Sequence, residues 1–164
     1  MVLDEALVRV IDAFERAEVE YALAGGFALA VYCEPRATYD MDLVVLSSIG
    51  AAEHALREQF GSVYRNLEVM PYRLVRVHRF LLIEDDKEFV LDLLEPCSLE
   101  FAEIARESRR SIAFHERRLS VIGPEVLWLL KKASSRPQDE VDAAMLEERL
   151  DASLRTSLAE QWLV

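Results

Sequence analysis

Six residues, Met41 to Leu46, form a continuous apolar run broken only by Asp42, with Asp40 immediately before it. Such a run is the signature of a strand buried on both faces, and a strand of that kind needs a sheet covered by helices. The rest of the chain supplies both. Leu3, Leu7, Val10, Ile11 and Phe14 fall at helical spacing between Val2 and Glu18, which makes one buried stripe. Tyr21 to Ala24 reads as a short strand running into a turn at Gly25-Gly26, and Phe27 to Tyr32 as a short helix ended before Pro35.

Ala51 to Phe60 reads as a helix closed by Gly61. Tyr72 to Ile83 and Glu88 to Leu94 read as two strands joined by a hairpin at Asp85-Asp86, the second centred on Asp92. Ser98 caps a helix whose apolar face is predicted at Leu99, Ala102 and Ile104-Ala105. Ser111 to Ile122 reads as one or two short strands around His115-Glu116. Pro124 and Pro137 each open a helix; the second is expected to turn Val141, Ala144, Met145 and Leu146 inward. A last helix carries Leu154, Leu158 and Trp162. The order predicts an α+β fold: a mixed sheet flanked by helices, with a helical extension at the end.

With 164 residues, 52% of them hydrophobic, the chain is long enough to bury a core without disulfides or a structural metal. No apolar run has the length of a membrane helix, roughly 18 residues or more, and Met1 to Arg16 lacks a secretory pattern. Cys33 and Cys97 form no CxxC motif, and His54, His78 and His115 have no zinc-ligand spacing. Reduced thiols and a cytoplasmic location are expected, although two cysteines alone leave a bridge open. The net charge of −11 argues against non-specific nucleic-acid binding, which rests on neutralising phosphates. That charge lies mainly in the first third and the last helices. The nearly neutral middle third holds Arg73, Arg76, Arg79, Arg106, Arg109, Arg110, Arg117 and Arg118, the one supply for a local basic face.

Three features carry chemistry. On a strand, Asp40 and Asp42 point to the same face, roughly 6.6 Å apart along the backbone. Together they can hold a divalent cation; without one, neighbouring carboxylates repel and one keeps a proton. Alone, the pair also fits two solvent-facing aspartates at a turn. Gly25-Gly26, between a strand and a helix, lets backbone N–H groups approach a phosphate, though a tight turn needs such a pair too. Asp92 interrupts Phe89-Val90-Leu91 and Leu93-Leu94, so its carboxylate requires a cation, a hydrogen-bonding partner or an edge-strand position facing solvent.

Taken together, Ala24-Gly25-Gly26, then Asp40-Met41-Asp42-Leu43, then Leu91-Asp92-Leu93 resemble the nucleotidyltransferase superfamily, the fold of DNA polymerase β-like and minimal nucleotidyltransferases. Arg36-Ala37-Thr38-Tyr39-Asp40 resembles the Arg-x-Thr-x-Asp entry of its bacterial branch. Gly123 to Lys131, followed by Arg136-Pro137-Gln138-Asp139 and Asp142, is similar to the abortive-infection (AbiEii) type toxins. The resemblance spans roughly residues 20–145. It departs from the pattern at Cys33-Glu34 and at Ser134-Ser135.

The resemblance implies residues 1–122 as a catalytic core and 123–164 as a helical segment completing the nucleotide cleft. It implies Mg²⁺ or Mn²⁺ on Asp40, Asp42 and Asp92, with an NTP as substrate. Gly25, Gly26, Arg36, Thr38, Arg136 and Asp139 would face the nucleotide, and Lys131 would neutralise phosphate charge. The acceptor hydroxyl would belong to a tRNA end or a partner protein, in a toxin with its antitoxin, or alternatively to an antibiotic-like small molecule. A non-catalytic binding module and a metal-dependent nuclease are the competing readings. A nuclease has no need of the glycine pair.

Overall fold

The computed structural model describes every residue except Ser135. Its elements run α1 (Leu3–Arg16), β1 (Tyr21–Leu23), α2 (Gly25–Tyr32), β2 (Asp40–Val45), α3 (Ile49–Gln59), β3 (Ser62–Arg65), β4 (Met70–Pro71), β5 (Val75–Glu84) and β6 (Lys87–Pro96). They continue with α4 (Leu99–Ser108), β7 (Arg110–Phe114), β8 (Arg117–Val121), α5 (Pro124–Ser134), α6 (Pro137–Glu147) and α7 (Ala152–Trp162). The strands form one mixed sheet in the order β3-β5-β6-β2-β1-β8-β7, with β4 paired to another stretch of β5. The pairs β2–β6 and β1–β8 are parallel; the others are antiparallel.

Alternation along the two central strands explains how one sheet serves both core and cleft. Met41, Leu43, Leu91 and Leu93 are all fully buried and share one face. Asp40, Asp42 and Asp92 take the opposite face by the same period. Helix α1 packs against α3, while α5 contacts α2, α4, α6 and α7. Both hairpins turn on two residues of positive φ, Asp85-Asp86 and His115-Glu116, the conformation that suits the twist of adjoining strands.

Three expectations are corrected, and two strands are added. Gly25 and Gly26 are not in a turn before α2; they are its first two residues, with Ala24 as N-cap. Leu99 is 87% exposed because Phe101 and Ala105 supply the buried face of α4. Val141 and Ala144 of α6 face outward, and Asp139, Asp142, Ala143 and Leu146 face inward. Ion pairs made by the two aspartates draw that side of the helix into the protein. Finally, strands β3 and β4 occupy a segment whose polar residues and Pro71 gave no strand pattern. The cysteines are free. Among the described residues no helix is long and apolar enough to cross a membrane.

Candidate active site

The site begins with a register. In the parallel pair β2–β6, Asp42 stands opposite Asp92; in the antiparallel pair β5–β6, Asp92 stands opposite Arg79. Three charged side chains thus form one row across three adjacent strands, with Asp40 one step along on the same face. Asp92 is buried and accepts two hydrogen bonds from Arg79, Nε to Oδ1 at 2.8 Å and Nη2 to Oδ2 at 2.9 Å. This bidentate grip raises the guanidinium pKa.

Among the described residues Asp42 has no such partner. Burial, reinforced by the neighbouring Asp92 carboxylate, pushes its pKa up to about 7 against the opposing pull of Lys131; Asp40 adds to the rise. The row therefore holds more negative charge than Arg79 and Lys131 offset.

The start of α2 presses onto this row. The Ala24 N–H donates to the Asp42 carbonyl at 2.8 Å, which fixes the helix entry beside the carboxylate. Gly25 has φ +60, and a Cβ there would lie 2.1 Å from Asp42 Oδ2. A Cβ on Gly26 would lie 2.5 Å from Thr38 Oγ1. Only glycine leaves both places open, at a helix end whose first N–H groups lack partners within the helix and favour anions.

The far wall comes from α5 and α6. Lys131, 9% exposed, reaches Asp139 Oδ1 at 3.3 Å and Asp142 Oδ2 at 2.9 Å. Arg136 bonds Asp139 at 2.8 Å, and Ser134 Oγ bonds the same oxygen at 2.5 Å. Burial opposes ionisation of Asp139, but the bonds from Arg136 and Ser134 and the charge of Lys131 hold its pKa below the usual carboxylate range. Asp142 is fully buried and accepts from Arg36 at 2.7 Å and Gln138 at 3.0 Å. Arg36 thereby ties the α2–β2 segment across to α6.

These walls enclose a cavity of about 610 Å³, within the usual range for small-molecule sites. Asp40, Asp42, Asp92, Gly25, Gly26, Arg36, Thr38, Lys131, Arg136 and Asp139 all line it. Lys131 is brought to the cleft but stands paired with two aspartates. Its neighbour Lys132 is exposed.

Two residues were passed over as site residues. Arg79 was legible, since counting outward from Asp85-Asp86 places it opposite Asp92. Asp142 follows Asp139 at i+3, a spacing that puts both on one helix face.

The fold recurs in solved structures. The chain superposes on ANT(2'')-Ia in complex with adenylyl-2''-tobramycin with a TM-score of 0.67 at 17% identity, covering 97% of this chain and 98% of that one. This chain has a nucleotidyltransferase fold. The solution structure of the antibiotic-resistance factor ANT(2'')-Ia gives a TM-score of 0.64 at 16% identity over 98% of this chain and 92% of the other. An antigenic nucleotidyltransferase-like protein from Paracoccidioides brasiliensis gives 0.59 at 14% identity, covering 96% and 86%. No protein-family model matches the sequence, and no curated protein matches it.

A divalent cation is the group that a nucleotidyltransferase fold implies. The donor set suits one: oxygen ligands only, an excess of carboxylate charge on one row, and glycine where a Cβ would fill the space at Asp42. Among the described residues no three side chains are gathered as a ready-made cage, and Asp92 is turned to Arg79.

Proposed function

We propose that this chain is a metal-dependent nucleotidyltransferase that moves a nucleoside monophosphate from an NTP to a hydroxyl of a small molecule. The observation that carries this reading is the Asp42–Asp92 register beside the glycine start of α2. Asp40, Asp42 and Asp92 would hold Mg²⁺ or Mn²⁺, which when bound neutralises triphosphate charge and lowers the pKa of an attacking hydroxyl. The N–H groups of Gly25 and Gly26 bind phosphate oxygens, with Thr38 packed beneath them. Lys131 and Arg136 balance charge on the leaving pyrophosphate, and Asp139 and Asp142 hold those cations in place. The acceptor oxygen bonds the α-phosphorus as the bond to pyrophosphate breaks, and Asp92, once released by Arg79, would receive the acceptor's proton. In this division of labour residues 1–122 form the catalytic core and 123–164 complete the cleft.

The acceptor assignment rests on the arginines. A polynucleotide acceptor requires several unpaired cations on one face beside the cleft. Instead Arg76 pairs with Glu95, Arg79 with Asp92, Arg106 with Glu20 and Glu103, Arg109 with Glu20, and Arg117 with Asp12. Arg118 bonds Ser111, and Arg110 lies over the Tyr32 ring. Pairing of five of the eight arginines with carboxylates argues against a tRNA end; between the two acceptors left, a small hydroxylated molecule and a protein held by a toxin with its antitoxin, the small molecule is proposed by analogy with the adenylyl-2''-tobramycin of the ANT(2'')-Ia complex. The free cysteines suit a cytoplasmic address.

The test is incubation with Mg²⁺ and NTPs labelled at the α-phosphate, using separate pools of aminoglycosides, tRNA and candidate partner proteins. Label in the small-molecule pool, absent with EDTA and in Asp42→Asn, is expected. Label in tRNA or protein alone would restore the toxin-like assignment. NTP binding with no transfer to any pool would favour a binding module.

A further inference from the structure

Asp92 is spoken for in a way that Asp40 and Asp42 are not. Both of its oxygens are held by Arg79, which occupies the directions in which a cation would approach and adds a positive charge at that point. The Asp92 side chain is 9% exposed and that of Arg79 is 45% exposed. The carboxylate is therefore fixed in the floor, while the guanidinium reaches it from the open cavity. If Arg79 left without a replacement, a buried carboxylate would stand unpaired beside Asp42, which is costly. Asp92 is capped by Arg79 here, and a cation is the other cap that would satisfy its charge.

Moving from the first to the second requires another anion for the guanidinium. The triphosphate is that anion, because a planar guanidinium fits phosphate oxygens in the same fork it uses for carboxylates. We propose that Arg79 is a positioning residue that withholds Asp92 from metal until a nucleoside triphosphate arrives and takes the guanidinium onto a phosphate. On this view, which rests on the nucleotidyltransferase reading, Asp40 and Asp42 would hold metal before Asp92 does. The third carboxylate joins only when substrate is in place, so the loaded site is built by its own substrate.

Manganese binding, followed by electron paramagnetic resonance and calorimetry with and without a non-hydrolysable ATP analogue, tests this on wild type, Arg79→Gln and Arg79→Lys. Without nucleotide, Arg79→Gln should bind Mn²⁺ about tenfold more tightly than wild type, the usual scale for a group acting on a metal ligand, with Arg79→Lys between them. With the analogue present that advantage should vanish, and the analogue itself should bind Arg79→Gln more weakly. In an Asp92→Asn background, Arg79→Gln should leave Mn²⁺ affinity unchanged. Wild-type or weaker Mn²⁺ affinity in a folded Arg79→Gln protein would overturn the gating role while leaving the transferase reading intact. Failure of the wild type to bind Mn²⁺ even with the analogue would overturn both.

Discussion

Gly25 and Asp42 stand so close that a methyl group cannot come between them. A Cβ on Gly25 would meet Asp42 Oδ2 at 2.1 Å and Cγ at 2.6 Å, so the first turn of α2 and the proposed metal ligand share one space. Gly25→Ala must also place an L-residue at φ +60. The expected loss is about 2 kcal/mol, or a fall of ~4–8 °C in Tm for a chain of this size. Displacement of Asp42 should remove Mg²⁺-dependent ATP binding as well. Calorimetry on the folded variant showing wild-type affinity would refute the cradle.

Gly26 meets a softer neighbour. A Cβ there would lie 2.5 Å from Thr38 Oγ1 and 3.0 Å from Thr38 Cγ2. Gly26→Ala should destabilise by about 1–3 kcal/mol, the range for overpacking. Thr38→Ala removes both clashing atoms, so the double variant should recover much of that loss. Urea denaturation of the four proteins measures the coupling, and additive losses would show that the clash is relieved elsewhere.

The raised pKa of Asp42 carries a pH dependence with a definite sign. Its value is 3.8 unperturbed and about 7 in the folded chain, because of burial first and Asp92 second. The folded protein therefore holds this proton more tightly than the unfolded one. The associated stability is fully present below about pH 4 and is lost as pH rises through about 7. In chelator, Asp42→Asn should melt higher than wild type above about pH 7, and the difference should shrink toward pH 4. Since a divalent ion must displace the same proton, Mn²⁺ affinity should climb to about pH 7 and level off beyond it. A flat profile in both measurements would contradict the assignment.

Asp142 anchors Arg36 and Lys131 from full burial. Its removal leaves Lys131 with Asp139 alone and releases the α2–β2 segment from α6. Asp142→Ala should cost about 3 kcal/mol, as when one partner of a buried ion pair is deleted, and should raise the KM for NTP. Asp142→Asn, which keeps the shape, should lose less stability and still show the weaker NTP binding. Equal KM values in wild type and Asp142→Asn would confine Asp142 to a structural role.

How much of this was legible in sequence follows from what each feature depends on. Asp40 and Asp42 lie two apart on one strand, so their shared face needs no tertiary knowledge. Lys131, Arg136 and Asp139 sit at the end of one helix and the start of the next, a local relation the resemblance already carried. Asp92 announced itself as a charge in apolar company. Its grip by Arg79 depends on hairpin register, which a two-residue turn fixes but which periodicity alone does not reveal. Leu99 and Val141 were misplaced because hydrophobicity ranks them as core. Phe101 buries more area on α4, and the paired aspartates of α6 won the inner face. Strand β3 alternates around a single buried Val63, and β4 is two residues long, so both exist by pairing with β5 rather than by any propensity of their own.

The parallel pairing of β1 with β8, Leu23 opposite Val121, joins points separated by most of the chain. Tyr32 adds a second tie there, its hydroxyl donating to the Ile122 carbonyl at 2.7 Å. Loops of that length close slowly, so contacts of this kind form late in folding. Helices α5 and α6 follow β8 directly, so they are among the last parts of the chain made and α5 reaches α2 and α4 late. A growing chain would thus assemble its acidic row first and gain Lys131 and Arg136 last. During synthesis it should remain unable to hold a triphosphate until almost all of its strands are in place.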